Sequence, residues 1–188
     1  MDRPQDVIVL ASTSPQRRLI LDQLGIPFEA VAPAYEETPG GDPVEHAVGK
    51  ARSVDAGDRP VLGVDTVVAC HGEVLGKPRD AGDAERMLEL LAGRTHEVVS
   101  GLCLRTRAWE ERHRATTRVT FRSLTPRDLA HYLASGEWAG RAGAYAIQGL
   151  GANLVERIEG DYLNVVGLPG ALLVRLLAQR FAGTYGFG

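Results

Sequence analysis

An aspartate inside an apolar run and a lysine held between glycine and proline are the first residues in this chain whose type and placement suggest chemistry. In Val61–Pro78 (VLGVDTVVACHGEVLGKP), Asp65 interrupts Val61, Leu62, Val64, Val67, Val68 and Ala69. An ionised carboxylate there is costly unless it is paired or metal-bound. Lys77 precedes Pro78, a rigid exit that fixes where its ammonium points. The two read as parts of a site, or as an internal Asp65–Lys77 ion pair without chemistry. Near the start, Ser12 and Ser14 lead into Pro15, Arg17 and Arg18. A strand, small hydroxyls and a helix N-terminus suit phosphate, because free N–H groups and the positive end of the helix dipole face the anion. The same pattern also serves for capping alone. Glu36 and Glu37 form an acidic pair, either surface charge or part of a cation site, and Lys50 lies one position off an apolar helical stripe. Together these supply what polyphosphate hydrolysis needs: cations and amides for the phosphates, carboxylates for a bridging divalent cation, and a base for water.

The elements that must carry these groups follow from punctuation and period. Asp6–Ser12 reads as a buried strand, and Ser14 and Pro15 open a helix with Leu19, Ile20, Leu21 and Leu24 inward, ended by Gly25. A second strand is expected over Phe28–Ala32, a loop over Ala34–Pro43 and a helix over Val44–Asp55. Val61–Pro78 reads as a hairpin turning at His71–Gly72. Asp80–Ala92 is an amphipathic helix, Thr95–Arg105 and His113–Phe121 are long antiparallel strands, and Thr125–Ser135 is a capped helix. The Gly-rich segment from Arg141 begins irregular, with a strand from Ala152. Pro169 opens a last helix with Leu172, Leu173, Leu176 and Leu177 inward. The order of elements indicates α/β or α+β with a mixed sheet.

The chain's 188 residues suit one domain, or one domain with a substantial subdomain. A net charge of −3 gives no case for nucleic acid or a membrane surface, and no apolar run approaches a bilayer span. The apolar segment near the start reads as too short for a signal peptide, and it leads straight into a helix signal. Cys70 and Cys103 lack CxxC spacing and read as reduced thiols of a cytosolic protein. The five histidines, at 46, 71, 96, 113 and 131, show no zinc-ligand pattern. Of the 21 basic side chains only Lys50 and Lys77 are lysines. A coding or thermal bias toward arginine explains this blandly; under such a bias the two remaining lysines read as places where a compact ammonium is wanted, or as chance.

Taken together, LASTSPQRR near the start, EE at 36–37, KA at 50–51, GVDTVV at 63–68, LGKP at 75–78, L-x-G-R-T-H-E-V at 91–98, AGAYAIQGLGANLV at 142–155 and GDYLNVVGLP at 160–169 resemble the Maf-like nucleoside triphosphate pyrophosphatases over nearly the whole chain. The resemblance implies a single domain of α/β fold with mixed α+β character, similar to inosine triphosphatases. It would be elongated and two-lobed, with a cleft between the lobes and a central mixed, curved sheet flanked by helices, and often a homodimer. It implies hydrolysis of a nucleoside triphosphate to the monophosphate and pyrophosphate with Mg²⁺ or Mn²⁺. Asp65 would be the general base, and with Glu37 would hold the metal. Ser12, Ser14, Arg17, Lys50 and Lys77 would bind the phosphates, and Glu36 would be solvated. Base choice would fall to Gln16, Thr66 and Gln148. Thr66 and Gln148 resemble the branch acting on dTTP and UTP, and Gln148 can offer uracil or thymine both a donor and an acceptor. Gln16 departs from the arginine usual in that branch. The rival readings are a 7-methyl-GTP or broad-specificity pyrophosphatase, and a non-catalytic nucleotide-binding regulator of cell division or shape.

Overall fold

Ile8–Ala11 (β1) is a four-residue strand with every side chain buried, the pattern of a strand covered on both faces. The computed structural model describes residues 7–187, so Asp6, where the sequence reading begins this strand, lies outside the described residues. β1 pairs in parallel with Phe28–Val31 (β2) and with Val61–Cys70 (β3), with Leu10 opposite Ala30 on one side and Leu62 on the other. Parallel pairs need crossovers, and two helices provide them. Pro15–Gln23 (α1) links β1 to β2, and Pro43–Arg52 (α2) links β2 to β3. β3 turns at His71 (φ 50°) and Gly72 (φ 82°) into Glu73–Leu75 (β4), antiparallel to it. Two successive positive φ values are those of a type I′ turn, one of the two common two-residue hairpin loops.

Ala81–Leu91 (α3), capped by the Asp80 carboxylate, precedes Thr95–Arg105 (β5) and Glu110–Phe121 (β6). Pro126–Ser135 (α4) has a reciprocal capping box between Thr125 and Asp128, and ends at Gly136 with φ 72°. Two 3₁₀ turns follow, Ala142–Ala144 and Gly149–Leu154. After them come Val155–Glu159 (β7), Tyr162–Val166 (α5) and Gly170–Arg180 (α6). The mixed seven-stranded sheet runs β2-β1-β3-β5-β6-β7, with β4 beside β3. This is the mixed α/β architecture expected. Among the described residues no helix is long and apolar enough to cross a membrane.

Several boundaries differ from the sequence reading. β6 starts at Glu110 rather than His113, because Thr106 N–H closes a tight turn on the Trp109 carbonyl (2.9 Å) and pairing begins at once. β7 starts at Val155, since residues 152–154 belong to the second 3₁₀ turn. α5 has only five residues, too few to show a period. Leu19 is 45% exposed, while Ile20 and Leu21 supply the buried face of α1.

The chain forms two compact units. The first comprises the residues up to 65, 100–115 and from 167, and the second 66–99 and 116–166. In the first, α2 rests on the sheet through Ala47, Val48 and Ala51, packed with Val9, Ala11, Val61 and Cys103. Two glycines allow that approach. A Cβ on Gly63 would collide with the Ala47 carbonyl, and one on Gly101 with the Pro43 carbonyl. Both obstacles are backbone, so Gly63→Ala must lift the helix. It is expected to cost about 1–3 kcal/mol, read as a lower midpoint of thermal unfolding.

The second unit's core holds Leu88, Leu91, Phe121 and Leu154, with one buried histidine among them. His96 Nε2 lies 2.9 Å from the Tyr145 hydroxyl, and its ring meets Phe121 edge-on. Burial lowers this imidazole from 6.5 to about 4. The unfolded chain therefore binds a proton that the fold refuses between those values. The stabilisation is complete above pH 6.5 and is lost as pH falls to about 4, roughly 3 kcal/mol in all. Urea unfolding of the wild type should weaken steadily across that window, and His96→Asn should flatten the dependence.

Candidate active site

The end of β1 passes directly into the first set of polar groups. Ser12 Oγ accepts from Ser14 N–H (3.2 Å) and from Arg17 Nη1 (3.1 Å). Arg17 Nε also donates to the Gly167 carbonyl (2.9 Å). Ser14 has the extended backbone of an N-cap, yet its hydroxyl makes no cap bond. It donates instead to Gln16 Oε1 at 3.1 Å. Ser14 thus holds the N-cap position without the capping bond expected of it. An N-terminus left in this state suits an anion. Arg18 points into solvent.

The second set comes from α2 and β3. His46 and Lys50 are four residues apart, one turn of helix, and so share a face. Seated by Gly63 and Gly101, that face meets Asp65 on β3. All three residues are buried, with relative exposures of 5%, 5% and 6%. Lys50 Nζ donates to Asp65 Oδ1 (2.7 Å) and meets Glu37 Oε1 at 2.6 Å. His46 Nδ1 lies 3.3 Å from Asp65 Oδ2. The cation that compensates the buried Asp65 is therefore Lys50. Burial works against the charge of Asp65. It is outweighed by the charge and hydrogen bond of Lys50, the charge of Arg17 and the hydrogen bond of His46, and the carboxyl lies below its ordinary value. For Arg17 burial prevails, and the guanidinium is lowered despite the charges of Asp65 and Glu37.

Glu37, His46 and Asp65 each present one ligand atom, all within 4.8 Å of one another. Two carboxylate oxygens and an imidazole nitrogen are a donor set that could hold a divalent metal ion. Sequence reasoning found Glu37 and Asp65 but missed His46, since one histidine on a helix carries no motif. Its spacing of four from Lys50 was the available signal. Glu36 is exposed, as expected. Ser12, Gln16, Arg17, Glu37, Lys50 and Asp65 thus belong to one unit with linked partners. Thr66, Lys77 and Gln148 belong to the second unit. There Thr66 and Gln148 are half-buried and Lys77 is exposed just beyond β4.

The model of the Maf-like protein family matches residues 7–180, and the chain belongs to that family. Among its relatives, a protein of Moorella thermoacetica is 50% identical over 182 residues, covering 91% of this chain and 93% of the relative. One of Gloeobacter violaceus is 48% identical over 181 residues, covering 92% and 95%. Both are named dTTP/UTP pyrophosphatase, as is a Myxococcus xanthus protein 48% identical over 187 residues, covering 95% of each chain. Among solved structures, the Staphylococcus aureus Ham1 protein aligns with a TM-score of 0.45 at 14% identity, covering 61% of this chain and 71% of that one.

Proposed function

We propose that this chain is a nucleoside triphosphate pyrophosphatase that hydrolyses dTTP and UTP to the monophosphate and pyrophosphate. The observation that carries the reading is the buried, ionised Asp65, held by Lys50 beside Glu37 and His46. The names of relatives sharing about half of the sequence supply the substrate class.

In this reading the Asp65 carboxylate orients a water molecule and accepts its proton as the water oxygen bonds to the α-phosphorus. The bond from that phosphorus to the bridging oxygen breaks, and pyrophosphate leaves. A carboxyl below its ordinary value is a weak base. Phosphoryl transfer asks more for alignment than for proton abstraction, so an aligned carboxylate suffices. Arg17, Lys50, Lys77, Ser12, Ser14 and the α1 N-terminus hold the phosphates. Glu37 and Asp65, with His46, would hold a divalent cation. The chemistry such a cation would supply there is electrostatic stabilisation of the phosphate charge. Gln148, Thr66 and Gln16 are assigned base choice. The reading also takes the protein to be a single-domain cytoplasmic homodimer.

A panel of triphosphates assayed for pyrophosphate tests this. With Mg²⁺ or Mn²⁺, kcat/KM for dTTP and UTP is expected to exceed that for purine triphosphates and 7-methyl-GTP by about tenfold or more. A chelator should stop the reaction. Faster turnover of a purine would overturn the base assignment. Nucleotide binding without pyrophosphate release would favour a regulator over an enzyme.

A further inference from the structure

The second 3₁₀ turn, Gly149–Leu154, begins directly after Gln148, which occupies its N-cap position. A short polar side chain there (Ser, Thr, Asp or Asn) commonly satisfies the free N–H groups of its own turn. Gln148 makes no such bond. The acceptor comes from elsewhere. Glu137, just beyond α4, takes Leu150 N–H on Oε1 (3.0 Å) and Gly151 N–H on Oε2 (3.2 Å). Two consecutive amides on the two oxygens of one carboxylate fix both the position and the direction of that peptide segment.

The rest of the loop is built around this contact. Gly149 has φ +70°, and a Cβ there would lie 2.6 Å from Glu137 Oε1, so the missing side chain lets the carboxylate reach the amides. Gly151 lies so close to the Ala146 carbonyl that a Cβ would collide with it. On the near side of Gln148, Ala146 N–H donates to the Tyr132 hydroxyl of α4 at 3.0 Å. The backbone carrying Gln148 is thus tied to α4 before it and to Glu137 after it.

We propose that Glu137 is a positioning residue for base recognition: its carboxylate caps the turn in place of Gln148 and leaves the Gln148 amide to meet the nucleobase. This rests on the reading that the chain is a pyrimidine-selective pyrophosphatase with Gln148 at the base edge. A glutamine at an N-cap can either satisfy its turn or present donor and acceptor to a ligand, and Glu137 removes the first demand.

Glu137→Gln tests it. The new amide keeps one acceptor but sets a donor against the other N–H. Gln148 is then drawn back to its own turn. In the full-length protein, kcat/KM for dTTP is expected to fall about tenfold, mainly through KM, with dGTP changed less than about twofold. Amide hydrogen exchange should quicken at Leu150 and Gly151 and stay unchanged in α3. Glu137→Ala should have the larger effect on both readouts, and Gln148→Ala should lower the dTTP-to-dGTP ratio without quickening exchange. A Glu137→Gln protein losing both substrates in proportion, or keeping its ratio while Gln148→Ala changes it, would overturn the proposal and leave the pyrophosphatase reading standing. An unchanged ratio in Gln148→Ala would overturn the base assignment and the proposal with it.

Discussion

Asp65→Asn is expected to lower turnover of dTTP by about a thousandfold or more, while the protein folds and binds nucleotide. The amide matches the carboxylate in shape, and its oxygen can still accept from Lys50 Nζ, which now lies 2.7 Å from Oδ1. Lys50 also keeps Glu37, so no buried ammonium is stranded. On the proposed mechanism, what disappears is the group that takes the proton from water and one of the two carboxylates proposed to hold a cation. Nucleotide affinity is expected to hold or rise, since a negative charge near the phosphates has gone. Steady-state kinetics and a calorimetric titration with dTTP check both halves. A kcat within about tenfold of the wild type would remove Asp65 from the chemistry.

Lys50→Met carries the second large effect, and it acts on stability, pH dependence and activity together. Met fits the space but leaves Asp65 buried without its main cation. Breaking a buried pair in this way costs about 3 kcal/mol, at the lower end of the range because Arg17 and His46 still favour the charge. The sign of the pH effect follows. In the wild type the folded carboxyl is depressed, so its contribution is present above the ordinary carboxylate range and is lost only as pH falls through the lower folded value. Without Lys50, burial becomes the governing influence and pushes the carboxyl upward. The acid limb of kcat/KM should then move to higher pH, and the variant should lose less stability on acidification than the wild type. An unchanged acid limb would show that Lys50 does not set the charge state of Asp65. Activity should fall by about a hundredfold or more through loss of the phosphate contact proposed for Lys50.

Much of the scaffold was legible because it is punctuated. Pro15, Pro126 and Pro169 stand at helix starts, Gly25, Gly93 and Gly136 follow helix ends, and His71–Gly72 forms the turn foreseen, whereas Pro43, read as the end of a loop, opens α2, which stops at Arg52 rather than Asp55. Asp65 and Lys50 stood out because charge is rare on apolar elements. Their pairing did not. Lys77 is nearer to Asp65 along the hairpin, whereas Lys50 reaches it across 15 residues of chain, through the seating of α2 on β3. His46 was hidden because its meaning depends on that seating. Ser14 holds the N-cap position read for it, and only the capping bond was beyond reach, because sequence cannot show that its hydroxyl has a competing acceptor two residues on, in Gln16. Glu137 gave no signal, since its partners are backbone amides and backbone amides have no sequence.

Hydrolysis at the α-phosphorus is read directly from its products. Phosphorus NMR of dTTP incubated with the protein and Mn²⁺, quenched with chelator before spectra are recorded, should show thymidine monophosphate and pyrophosphate appearing in equal amounts. Thymidine diphosphate with inorganic phosphate, or a triphosphate left unchanged, would contradict it.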